Sequence, residues 1–134
     1  MTTEENKRTI QRFIAEVLNQ KNLAALDKFI AEDFFEVIPF PGQGPGREGL
    51  RETLRGFIAA IPDMHWTVEE QIAEGDNVVT RFTMTGTHQG LFLGVPATGK
   101  TVNVWGIVID VVREGWMVES RMLMDVAGLM QQLG

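Results

Sequence analysis

Residues 101–112, TVNVWGIVIDVV, hold seven valines and isoleucines. β-Branched side chains favour a pleated surface, so the segment reads as a strand. Apolar residues fall on both phases of its two-residue period, so neither face can be left to water, and a strand of this kind needs two covers. Its neighbours share the period. Val78, Thr80, Phe82 and Met84 alternate with Val79, Arg81, Thr83 and Thr85. Met64 to Glu74 forms a strand before them. Trp116 to Met124 forms another after the turn Arg113-Glu114-Gly115. The second half of the chain is therefore a sheet of long antiparallel strands.

The first half has a helical period. Ile10, Phe13, Ile14, Val17 and Leu18 make one stripe of an amphipathic helix, and Thr2 with Glu5 has the spacing of a capping box. Asn22 is placed to cap a shorter helix carrying Leu23, Leu26 and Ile30. Phe34 to Phe40 reads as a short strand. PFPGQGPG at 39–46 breaks regular structure, and a third helix carrying Leu50, Leu54, Phe57, Ile58 and Ile61 ends at Pro62. Helices first and strands later indicate an α+β fold with the sheet curled over the helices, in a single domain spanning residues 1–134. One face of strand 101–112 packs on those helices. The expected cover for the outer sheet face is a second copy of the chain, giving a homodimer.

Composition narrows the partners. Twelve basic side chains against eighteen acidic ones give a net charge of −6. That disfavours a nucleic-acid backbone or an anionic membrane, both of which want a positive face. A neutral or weakly charged small molecule suits the chain better. The absence of cysteine excludes thiolate chemistry and disulfides, and His65 and His88 lack metal-ligand spacing, so no metal site is expected. The opening MTTEENKRTI has no signal-peptide core and no run is long enough to span a bilayer, so a cytoplasmic location is expected.

Gly94 to Thr101, GVPATGKT, satisfies the phosphate-loop pattern, and Ile107 to Asp110 mimics a magnesium-holding strand. A phosphate loop needs a helix starting at its lysine, whereas here the lysine opens the most strand-like segment of the chain. The segment is a long hairpin loop. Asp125, in Met122-Leu123-Met124-Asp125, has two compatible readings. It is a favoured N-cap for a short terminal helix. It is also a carboxylate among methionine and leucine, where desolvation would raise its pKa and make it a stronger base.

Gly86-Thr87-His88-Gln89-Gly90, the loop Gly94 to Lys100, Asp125 and the terminal Gln132-Leu133-Gly134 together resemble the SnoaL-like polyketide cyclases of the NTF2-like, or ketosteroid-isomerase-like, superfamily. The resemblance spans nearly the whole chain. It implies an α+β cone: a curved, mostly antiparallel sheet wrapped around N-terminal helices, with an apolar cavity, usually in a dimer. It also implies cofactor-free acid/base chemistry on a hydrophobic polycyclic or carbonyl substrate, in the manner of an intramolecular aldol closure. Asp125 takes the place of the catalytic acid/base, and His88 matches the family's hairpin histidine, with loop ordering as its other reading. Phe13, Val17, Phe57, Phe82, Met84 and Trp105 are the expected cavity walls. Strand 101–112 offers only Asn103 and Asp110 between its apolar residues, which makes the cavity oily. Two other readings remain: a hydrophobic-ligand binding protein without turnover, and an epoxide hydrolase built from Asp110, Arg81 and Asp125.

Overall fold

The computed structural model describes residues 1–134. Helix α1 spans Thr3–Phe13 and runs on as a wider π-helical segment, Ile14–Asn19. Thr2 caps it as its spacing indicated, accepting a hydrogen bond from the Glu5 amide. The stripe Ile10, Phe13, Ile14, Val17 and Leu18 is buried throughout. The second helix is shorter than expected, a 3₁₀ segment at Leu23–Lys28, and Asn22 makes no side-chain capping bond to it. Ile30 lies outside that helix and opens strand β1, Ile30–Glu36. The strand expected at 34–40 thus begins earlier, and the proline-rich residues after Glu36 carry no regular structure. Helix α2, Gly46–Ala60, buries Leu54, Phe57 and Ala60.

Strands β2 (His65–Glu74), β3 (Asn77–Thr87), β4 (Thr101–Arg113) and β5 (Trp116–Met124) follow, then helix α3, Val126–Leu133. The five strands form one sheet in the order β1-β5-β4-β3-β2, parallel between β1 and β5 and antiparallel elsewhere. Register shifts at Val68/Glu70 and Val111/Val112 bend the strands, and the open sheet curves over α1 and α2. Gly106 lies directly opposite Phe82. A Cβ there would stand 2.6 Å from both the Phe82 ring and the Leu123 carbonyl oxygen, so only glycine lets that ring lie flat under β4.

The phase of each strand follows from what it covers. On β4, Val102, Val104, Asp110 and Val112 are buried, whereas Trp105 and Ile107 are exposed. No helix is long and apolar enough to cross a membrane.

Candidate functional site

Between α1, α2 and the inner sheet face lies an apolar cavity of about 80 Å³. Ile10 and Phe13 come from α1, Leu54 and Phe57 from α2, and Trp66, Phe82 and Val108 from the sheet. Each of these side chains contributes about 1.5–3 kcal/mol by leaving water, so the helices close tightly on the sheet. Only Glu36, Thr53, Asp110 and Ser120 are polar among the lining residues.

Three of those four come together through strand register. Ser120 on β5 pairs with Glu36 on β1 and with Asp110 on β4, so the three side chains form one row across adjacent strands. The bulge at Val111/Val112 matters here. It shifts the phase of β5 so that Met117 and Ser120, three residues apart, both reach the cavity. Across β4 the row continues into buried Val78.

The electrostatics follow from the oily walls. Burial pushes the Asp110 carboxyl up to about 7; a hydrogen bond from Ser120 opposes the rise and the charge of Glu36 adds to it. Burial likewise pushes Glu36 up to about 7, against hydrogen bonds from Gln43 and Ser120. The charge of Glu36 is felt at Asp110, so ionisation of the one disfavours ionisation of the other. Two further polar atoms at the cavity walls are buried without partners, Glu36 Oε2 and Trp66 Nε1. No group of three acidic, histidine or cysteine side chains gathers to hold a metal ion.

The residues expected from sequence fall in three places. Phe13, Phe57 and Phe82 line the cavity. Val17 and Met84 are fully buried but lie in the packed core beside it, outside its lining. Trp105 is corrected: it pairs with Thr83, one step out of phase with Phe82, and lies on the outer sheet face at 51% exposure.

Asp125 is also corrected in position. Its carboxylate is exposed and accepts a hydrogen bond from the Gly128 amide at 3.0 Å, capping α3. It borders a shallow depression on the outer face with Trp105 and Leu123, well apart from the Asp110 row. His88 is fully buried, but in the β3–β4 loop. Its Nδ1 accepts from the Thr98 amide and pairs with Thr98 Oγ1 at 3.0 Å, and its backbone holds Lys100 and Gly99. This is the loop-ordering arrangement. The same loop carries the phosphate-loop pattern, and Lys100 Nζ donates to the Leu133 carbonyl at the end of the chain. Arg81 pairs with Glu70 at 2.7 Å, so Arg81, Asp110 and Asp125 do not converge.

Sequence reasoning passed over Glu36, Ser120 and Trp66. Asp110 carried a readable signal: it is the one charge in Ile107-Val108-Ile109-Asp110-Val111-Val112, where either phase of the strand places it among apolar neighbours.

The SnoaL-like polyketide cyclase family model matches residues 8–133. The chain belongs to that family. Among solved structures, the SnoaL-like chain is similar to TsrD from Streptomyces laurentii, at 28% identity and TM-score 0.91 over 100% of this chain and 98% of that one. It is similar to IdmH from Streptomyces antibioticus, a candidate polyketide cyclase, at 33% identity and TM-score 0.83 over 96% and 98% of the two chains. AclR from Streptomyces galilaeus, a candidate hydroxylase, matches at 26% identity and TM-score 0.86 over 99% and 98%. No curated protein matches the sequence. The NTF2-like α+β architecture is thus shared by proteins described with different activities, and the reaction has to be argued from the cavity.

Proposed function

We propose that this SnoaL-like protein is a cofactor-free acid/base enzyme acting on a hydrophobic carbonyl substrate, with Asp110 and Glu36 as its proton-transfer pair. The single observation behind this reading is the row Glu36–Ser120–Asp110 on the inner face of an otherwise apolar cavity. With Asp110 ionised and Glu36 protonated, Asp110 serves as base. It takes a proton from a carbon next to a carbonyl. The carbonyl oxygen gains charge as the enolate forms, and Trp66 Nε1–H, buried without a partner, supports its donor role there. Glu36 is the less buried of the two and sits beside Gln43 of the loop. It gives its proton to the oxygen that becomes an alcohol when the enolate carbon attacks a second carbonyl. One C–H bond is lost, one C–C bond forms, and the pair regains its starting charge by moving one proton from Asp110 to Glu36. Exclusion of water protects the enolate from premature protonation.

The test uses 2-tetralone, a bicyclic ketone, in deuterated buffer. Nuclear magnetic resonance follows deuterium entering the carbon beside its carbonyl. Asp110→Asn is expected to lower the protein-dependent exchange rate at least about a hundredfold while leaving the affinity within about threefold. An unchanged rate overturns the reading and leaves a binding protein of the same cavity. Asp125→Asn, on the outer face, is expected to exchange like the parent protein.

A further inference from the structure

The proline- and glycine-rich loop after β1 aims one polar side chain at the site. Phe40-Pro41-Gly42-Gln43 closes a tight turn, in which the Gln43 backbone amide donates to the Phe40 carbonyl at 2.9 Å. Pro41 sets the first corner. Gly42, at φ +83, supplies the positive φ that the second corner of a type II turn requires. The Gln43 side chain then folds back on the same turn, where its Oε1 accepts from the Phe40 amide at 3.0 Å. An N–H can donate only to the carboxamide oxygen, so this bond fixes which way the carboxamide faces. Its Nε2–H₂ group is left for the other side, and there it donates to the Glu36 carboxyl. The bond from Phe40 also polarises the carboxamide and strengthens it as a donor.

Gln43 and Ser120 differ in what they reach. Ser120 bonds both carboxyls, whereas Gln43 bonds Glu36 and not Asp110. Ser120 has one O–H and donates to one acceptor at a time. During aldol closure Asp110 gains a proton and Glu36 loses one, so negative charge moves along the row from β4 to β1. The serine hydroxyl has to turn to follow it. Gln43 is already in place, because the turn holds it independently of the row.

We propose that Gln43 is a positioning residue for Glu36: the turn holds its carboxamide where it stabilises the carboxylate that Glu36 becomes on giving up its proton. It acts through Glu36 and not on the reacting atoms. This role rests on the acid/base reading for the direction of proton transfer, but the contact itself is read by titration alone.

The experiment uses the full chain with carbon-13-labelled glutamate and aspartate carboxyls, followed by nuclear magnetic resonance across pH. Glu36→Gln and Asp110→Asn identify the two signals by their loss. Gln43→Met keeps the length of the side chain and removes the donor. Gln43→Glu keeps an oxygen for the Phe40 amide and also removes the donor. In both, the Glu36 midpoint is expected to rise by about one pH unit, the worth of one hydrogen bond to a charged group. The Asp110 midpoint is expected not to rise, in contrast to Ser120→Ala, which raises both.

Activity divides in the same way. Closure of 2-(3-oxobutyl)cyclohexanone to its bicyclic hydroxyketone needs a proton from Glu36, whereas deuterium exchange into 2-tetralone needs only Asp110. Gln43→Met is expected to slow closure about tenfold and to leave exchange within about twofold. A Glu36 midpoint unchanged in both variants overturns the role of Gln43. So does a loss of closure and exchange together, or a parent protein that does not close the diketone. A raised Glu36 midpoint beside exchange that Asp110→Asn leaves unaffected keeps the Gln43–Glu36 contact and removes the acid/base reading. An unchanged midpoint in a protein whose exchange depends on Asp110 does the reverse.

Discussion

Glu36 and Asp110 lie on strands that do not touch, yet each is the direct cross-strand partner of Ser120. Strand β5 stands between them, so the carboxyls are two strand spacings apart along the sheet, roughly 10 Å at the backbone, and approach only through their side chains. A serine between two buried acids is a hydrogen-bond donor that either can use, and Gln43 is a further donor to Glu36. The pair is thereby held on the curved inner face without any basic partner, which is why both carboxyls rise instead of ionising at ordinary pH.

That rise has a sign in stability. Between the ordinary carboxylate range and about 7, the folded chain binds more protons at Asp110 and Glu36 than the unfolded chain does. Stability contributed by these groups is full below about pH 4 and is lost as pH climbs through about 7. Urea unfolding at a series of pH values is expected to show this decline, on the order of a few kcal/mol in total. Asp110→Asn, which cannot ionise, should flatten the slope. An identical slope in the variant counts against a buried, perturbed Asp110.

Ser120→Ala removes a hydrogen bond that lowers both carboxyls. Both are expected to titrate higher in the variant, and the pH optimum of tetralone exchange to move upward. The exchange rate measured across pH 5–9 checks this. A reduced rate with the same optimum would mean that Ser120 only packs.

Asp125→Ala deletes the cap of α3. A loss of about 1 kcal/mol in stability is expected, with exchange activity on folded protein within about twofold of the parent. Thermal denaturation and the exchange assay, run side by side, separate the two effects.

Trp105, Ile107 and Leu123 are exposed together on the outer sheet face, and Arg121 and Asp125 border the same depression. A patch that is apolar at its centre and carries both charges at its rim is complementary to itself under a two-fold axis. We propose that a second copy covers it. Sedimentation at micromolar concentration is expected to give a dimer, and Leu123→Lys a monomer that still binds 2-tetralone.

Much of this molecule was legible one segment at a time. The stripe from Ile10 to Leu18, the end of α2 before Pro62, the long strands and the Asp125 cap are all short-range consequences of side-chain period and capping chemistry. The short segment at 23–28 was harder, because Ile30 continues a helical spacing yet is claimed by β1, where pairing with Met117 of β5 outweighs weak local propensity. The terminal Gln132 has a role that only docking shows: its side chain donates to the Asn103 carbonyl and accepts from the Asn103 amide, fastening α3 to β4.

What the chain alone determined was its set of elements and the oily character of the space they enclose. What tertiary structure decided was phase and register. A two-residue period says that Phe82 and Trp105 alternate with their neighbours, but only pairing of Phe82 with Gly106 shows that Trp105 faces outward. In the same way, Glu36, Asp110 and Ser120 sit far apart in sequence and meet because β1, β5 and β4 pair in one register, with a bulge that turns Ser120 inward. Local propensity is a property of a few adjacent residues. The position of a carboxylate relative to solvent depends on every strand laid beside it, and that information exists only once the sheet has closed over the helices.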